Sequence, residues 1–268
     1  MTAVSPLAVP VLMYHEIADA SATPSRLAVS PEDFAEQLGY LREAGFNSVT
    51  AGALASVLAG EGGELPDRPV VLTFDDGYGD FYDKALPLLK QNGFNGTLFM
   101  TTGWAGLRDE HKRMINWREL ADVAEAGIEV GGHTVEHPQL DQLPAPRLHE
   151  ELYASKALIE DKLSVPVPGL AYPFGYSNAR VRQVAREAGY TYAYSVNNFL
   201  TTGGADQFAL PRLTAQRSTT LEQFRTMVNG HDTLTLHRDR FLTRGYSVVR
   251  RARASVRTAR GAVRGSAG

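Results

Sequence analysis

Short apolar runs rich in β-branched and aromatic residues alternate along the chain with longer stretches whose apolar positions recur every three or four residues. Each run ends in a polar or glycine cluster. That rhythm predicts alternating strands and helices around a parallel sheet. Strands are predicted at 9–14, 70–74, 96–101, 128–131, 169–172 and 191–195, with a weaker one at 209–213. Helices are predicted at 31–44, led by Ser30 as N-cap, and at 80–91, 116–126, 145–163 and 178–188. Four of the helical stretches close on a glycine followed by an apolar residue: Gly45-Phe46, Gly93-Phe94, Gly127-Ile128 and Gly189-Tyr190. Such a glycine is the usual left-handed cap before the chain re-enters a strand. No linker interrupts residues 8–237, so the pattern predicts one domain over 1–237 followed by a separate tail, 238–268.

Charged and histidine residues follow the predicted strands: His15-Glu16 after the first, Asp75-Asp76 after the second, His133 after 128–131, and Pro173-Phe174-Gly175 after 169–172. In a parallel α/β barrel the carboxyl ends of all strands open on one face, where such groups would share a pocket.

Composition narrows the chemistry. The 268 residues contain no cysteine, which excludes disulfides, thiolate nucleophiles and thiolate zinc sites and leaves His and carboxylate as metal ligands. The formal charge of -3 is unevenly spread: residues 238–268 hold nine Arg and one Asp, which leaves an acidic body. An acidic body argues against a nucleic-acid partner, since phosphate contacts need a basic working face. In the tail, Val249, Ala252, Val256, Ala259 and Val263 recur at helical spacing among the arginines. That pattern predicts either a basic amphipathic helix with peripheral membrane contact or a solvated, disordered tail. The first fourteen residues lack a basic secretory leader and no stretch is long enough to cross a bilayer, so the expected location is cytoplasmic, at the inner face of the membrane if the tail binds there.

Two clusters carry the chemistry. Asp75 and Asp76 stand side by side at the end of the apolar run 70–74, where Gly77 permits a tight turn. Adjacent residues leaving a strand point different ways, so one carboxylate can bind a metal while the other stays free as a base. The bland alternative is a solvated Asp-Asp-Gly turn. His133 and His137, four residues apart and followed by Pro138, favour a loop at a strand end over a helix, and taken alone they could be two surface histidines. Together, two His and one carboxylate form a set that leaves metal positions open for water and substrate.

These residues resemble the first two motifs of the NodB-homology polysaccharide deacetylases, carbohydrate esterase family 4: Thr73-Phe74-Asp75-Asp76-Gly77 and His133-Thr134-Val135-Glu136-His137-Pro138. Further similarity runs through Thr97-Leu98-Phe99, Asn116-Trp117 and Gly127–Gly131, and Val11-Leu12-Met13-Tyr14-His15 is similar to members acting on bacterial exopolysaccharide. The resemblance implies an α/β fold, a distorted (β/α) barrel of about seven strands, that hydrolyses the N-acetyl group of an amino sugar. It implies Asp75 as base and Asp76, His133 and His137 as ligands of a divalent ion, zinc first, with cobalt, nickel or manganese as alternatives. The third family motif matches Ala171-Tyr172-Pro173-Phe174-Gly175, with the Phe174 N–H facing the developing oxyanion. Here the chain departs from the family: an arginine that orients the base is replaced by Ala171 or Tyr172. Arg212, in Leu210-Pro211-Arg212-Leu213, is the candidate to supply the guanidinium from another strand. The family's general acid lies in a Leu-x-Leu-His pattern, met in outline by Leu234-Thr235-Leu236-His237; otherwise water or His15 must serve. His15 and Tyr172 are placed on the substrate side, and Tyr14, Trp104, Trp117 and Tyr172 are candidates to stack on sugar rings, against a plain core role. Two rival readings are a cyclic-amide hydrolase of the same fold and a catalytically degenerate carbohydrate-binding domain.

Overall fold

The computed structural model describes residues 7–19, 21–108 and 112–230. The expected acid His237 and the arginine-rich tail lie outside the described residues.

Seven parallel strands form a curled sheet: β1 (Val11–Tyr14), β2 (Pro69–Asp76), β3 (Thr97–Met100), β4 (Glu129–Gly132), β5 (Gly169–Ala171), β6 (Tyr192–Tyr194) and β7 (Leu213–Thr214). Their spatial order is β7-β1-β2-β3-β4-β5-β6, and a parallel bridge from Tyr194 to Leu210 brings the last strand back to the segment leading into β7. Pro211, which has no N–H to give a ladder, separates that bridge from β7, so the strand expected at 209–213 is shorter and later. The helices are α1 (Pro31–Glu43), α2 (Ala51–Ala59), α3 (Leu86–Asn92), α4 (Trp117–Glu125), α5 (Ala145–Leu163), α6 (Ala179–Glu187) and α7 (Leu221–Val228).

Helix starts follow local chemistry. Ser30, Thr50, Asn116, Asn178 and Thr220 each accept a backbone N–H of the first turn of their helix. The helix expected at 80–91 begins with a wide π turn, Phe81–Ala85, before α3. Pro87 explains it: lacking an N–H, it cannot donate to the carbonyl four residues back.

The core has two layers. Inside the barrel, Val9, Val11, Val71, Phe99, Ala171, Tyr194 and Leu210 pack together. Outside it, Tyr14, Phe34, Phe74 and Phe81 form a cluster of ring contacts with centroids 4.7–5.8 Å apart, packing the sheet onto the helices. Strand alternation sorts β2 between these layers: Val71, Thr73 and Asp75 share the inner face while Leu72 and Phe74 point outward. Asp75 is thereby aimed into the mouth of the barrel at the carboxyl end of its strand.

Candidate active site

Alternation alone would turn Asp76 outward with Phe74. Its backbone prevents this, for Asp76 has a φ of 78° and Gly77 one of 88°. A side chain on Gly77 would meet the sulfur of Met100. The Asp76 conformation costs on the order of 1 kcal/mol or more, a cost that active sites commonly carry. It places Asp76 Oδ1 3.3 Å from His133 Nε2 and 3.4 Å from His137 Nε2.

His133 leaves β4 fully buried, and its Nδ1 donates to the Ala171 carbonyl at 2.8 Å. A carbonyl only accepts, so the neutral ring carries its proton on Nδ1 and turns the Nε2 lone pair towards Asp76. His137 reaches the same point from a loop in which Thr134 and His137 both adopt positive φ, 71° and 57°. One ligand atom from each of Asp76, His133 and His137 lies within 4.8 Å of the others.

This arrangement fits a cation. Asp76 Oδ1 is buried with no hydrogen-bond partner of acceptable geometry among the described residues, although two imidazole nitrogens face it. A buried acceptor surrounded by lone pairs is costly unless a positive charge lies between them. The charges agree. Burial opposes ionisation of Asp76, yet the neighbouring His133, His15 and His137 hold its carboxyl well below the usual carboxylate range. Burial also lowers His137, to about 4, so this ring stays neutral and able to ligate at pH 7.

Asp75 is set apart from this trio. Arg212, fully buried, donates from Nη1 to Asp75 Oδ1 at 2.6 Å and from Nη2 to Oδ2 at 2.7 Å. The guanidinium is itself held: Nη1 also donates to Thr73 Oγ1 at 3.1 Å, and Nε to the Ser195 carbonyl at 3.3 Å. Burial pushes the Asp75 carboxyl up, but the Arg212 charge, with His133, brings it below its ordinary value. Asp75 Oδ2 also lies 4.0 Å from His133 Nε2, so this carboxylate is adjacent to the group that could hold a metal.

The remaining residues sort by strand face. Phe174 sits in the turn Pro173–Gly175 with φ 58°, its ring half exposed and edge-on to His137 at 4.6 Å. The Trp104 ring centroid lies 5.4 Å from that of the same imidazole. His15 follows β1, and its Nδ1 is buried with no hydrogen-bond partner among the described residues. Tyr172 and Tyr14 correct the expectation of substrate stacking. Tyr172 is fully buried and donates to the Phe208 carbonyl at 3.1 Å, while Tyr14 donates to Gln37 and stacks on Phe74. Trp117 opens α4. Sequence reasoning quoted Thr73 as part of the first motif but gave it no role, and its signal is a hydroxyl two residues before Asp75 on the inner face of β2.

A parallel barrel with a His-His-Asp cluster and an adjacent arginine-bound carboxylate at its carboxyl rim defines the class: the deacetylase type of (β/α) barrel. Residues 62–193 match the family model described as polysaccharide deacetylase. Over these residues the chain is similar to the polysaccharide deacetylases of the NodB-homology type. YxkH of Bacillus subtilis, whose name assigns it to the polysaccharide deacetylases, is 27% identical over 208 residues, covering 78% of this chain and 71% of that one. The poly-β-1,6-N-acetyl-D-glucosamine N-deacetylase of Staphylococcus aureus is 27% identical over 161 residues. The match covers 56% of this chain and 56% of the staphylococcal protein, just over half its length. Among solved structures, the Streptococcus pyogenes deacetylase PplD, in complex with acetate, superposes with a TM-score of 0.76 at 26% identity, covering 84% of this chain and 99% of that one.

Proposed function

We propose that the protein removes N-acetyl groups from an amino sugar in a polysaccharide, oligosaccharide or glycoconjugate, using a divalent ion, zinc first, held by Asp76, His133 and His137. The observation that carries this reading is the pairing of an arginine-clamped carboxylate, Asp75, with three ligand atoms converging beside it. When bound, the ion supplies a Lewis acid for the amide carbonyl and lowers the pKa of its water towards about 7. Asp75 is the general base. Each of its oxygens gives one lone pair to Arg212 and keeps another for the proton of the attacking water. Arg212 fixes the direction of that carboxylate, and orientation of this kind is worth orders of magnitude in rate. The backbone N–H of Phe174 is assigned to the developing oxyanion.

The departing amine needs a proton. His15 is the candidate within the described residues, because its unpartnered Nδ1 sits at the end of β1, next to the strand that carries Asp75. His237 is the candidate that the sequence pattern offers; His15→Ala and His237→Ala distinguish them, the acid being the one whose loss removes the basic limb of the pH–rate profile. The rings of Trp104 and Phe174 both contact His137 and are assigned as walls for a sugar ring. The name of the staphylococcal relative makes β-1,6-linked N-acetylglucosamine the first substrate to test. The test is acetate release from β-1,6- and β-1,4-linked N-acetylglucosamine oligomers, with Asp75→Asn as control. Release that requires Asp75 supports the reading, and no release from any N-acetylated sugar overturns it.

A further inference from the structure

Helix α5 buries one face through Leu148, Glu151, Leu152, Ser155 and Ile159. Four of these are the small or apolar residues such a face calls for, and the fifth is a carboxylate with no solvent exposure. A charge is rarely buried so completely without a specific task.

The task is visible in its partners. Glu151 Oε2 accepts the backbone N–H of Val135 at 2.8 Å and of Glu136 at 2.9 Å, while Oε1 accepts from Arg147 Nη2 at 3.0 Å. Val135 and Glu136 lie inside the loop joining His133 to His137. That loop is strained at both Thr134 and His137, each with positive φ and a side chain. Left free, it would relax and carry His137 away from Asp76. Among the described residues its other anchors are the His137 N–H donating to Thr134 Oγ1 at 3.0 Å, the His133, Thr134 and Val135 carbonyls accepting from Thr101, Thr102 and Gly103, and the Glu136 carboxylate accepting from Arg147 at 2.9 Å. Glu151 alone takes both central N–H groups, through charge-assisted bonds of the stronger kind.

We infer that Glu151 is a positioning residue for the metal centre: from α5 it holds the 133–137 loop in the strained conformation that brings His137 onto Asp76 and His133. The inference rests on the proposed metal reading. Glu151 touches neither ligand side chain, so its loss should appear as weaker metal binding rather than as a missing catalytic group. Arg147, half exposed, keeps the buried carboxylate paired.

The test is competitive titration of chelator-treated full-length protein with Zn2+ and with Co2+, alongside Glu151→Ala and Glu151→Gln. Far-UV circular dichroism and thermal melting of the metal-free forms report on folding. Glu151→Ala should keep a cooperative fold and bind Zn2+ about 10- to 100-fold more weakly, the usual effect of losing a group that orients ligands. Glu151→Gln keeps an acceptor oxygen for the two N–H groups and should recover most of that loss. If Glu151→Ala does not fold, Glu151→Gln decides: a several-fold weaker affinity with an altered Co2+ absorption band is expected from its uncharged acceptor. Folded variants that bind both metals as tightly as the unmodified protein overturn the inference. Failure of the unmodified protein to bind either metal would instead overturn the metal reading beneath it.

Discussion

Arg212 grips Asp75 through two parallel hydrogen bonds of 2.6 and 2.7 Å, although 137 residues separate them in the chain. Both groups are buried, and the fork geometry fixes direction as well as charge. Lysine keeps the charge but not the fork. Arg212→Lys is therefore expected to keep its metal and lose about 100-fold in kcat, since small errors in aim cost that much. Arg212→Ala strands a buried carboxylate and should cost about 3–5 kcal/mol of stability in denaturant titration. Unchanged turnover in Arg212→Lys would remove Arg212 from the mechanism.

Asp75→Asn keeps the size of the side chain but removes the base. Acetate release should fall by about 10²- to 10⁴-fold while metal stoichiometry is unchanged, which elemental analysis of the purified variant checks. Loss of metal along with activity would mean that Asp75 is a ligand rather than a base.

Asp80 supplies a pH prediction away from the ligands. Burial, with the nearby charge of Glu16, pushes its carboxyl up to about 6, even though it accepts a backbone hydrogen bond from Ile17, and its Oδ1 has no partner among the described residues. A folded pKa above the unfolded value of about 3.9 means stability fully present below pH 3.9 and lost as pH rises through 6. Asp80→Asn should therefore stabilise the protein at pH 7.5, by up to about 3 kcal/mol, and gain little at pH 4. Equal effects at both pH values in thermal melts would contradict this.

Trp104 and Phe174 both make ring contacts with His137. Trp104→Ala should raise KM by about fivefold with kcat little changed, because ring contacts with a bound sugar are worth about 1 kcal/mol. A fall in kcat with KM unchanged would move Trp104 from binding to chemistry.

The strand rhythm and the two acidic and histidine motifs were legible because each is local. Strand periodicity marks Val71, Thr73 and Asp75 as one face, and glycine caps mark where helices end. What the sequence hid is non-local or conformational. The partnership of Arg212 with Asp75 was expected only through the family resemblance, because spacing alone carries no sign of a contact that forms when the barrel curls. Asp76 reaches the site through a left-handed backbone that defeats simple alternation. Tyr14 and Tyr172 follow or precede pocket residues in sequence but fall on core-facing positions, which misled the expectation of sugar stacking. Helix α2, Ala51–Ala59, was not expected because its short, small-residue sequence lacks a clear polar face; its Thr50 cap was the available signal. Glu151 could have been noticed as an acid inside the apolar stripe of α5.

The proposed hydrolysis requires Asp76, His133 and His137 to bind one ion while Asp75 stands beside it. Titration of chelator-treated protein with Co2+, followed by visible absorption, tests this most directly. The prediction is one equivalent per chain, abolished in Asp76→Ala and in His137→Ala but retained in Asp75→Asn. Absence of binding, or binding that survives loss of Asp76, would contradict it.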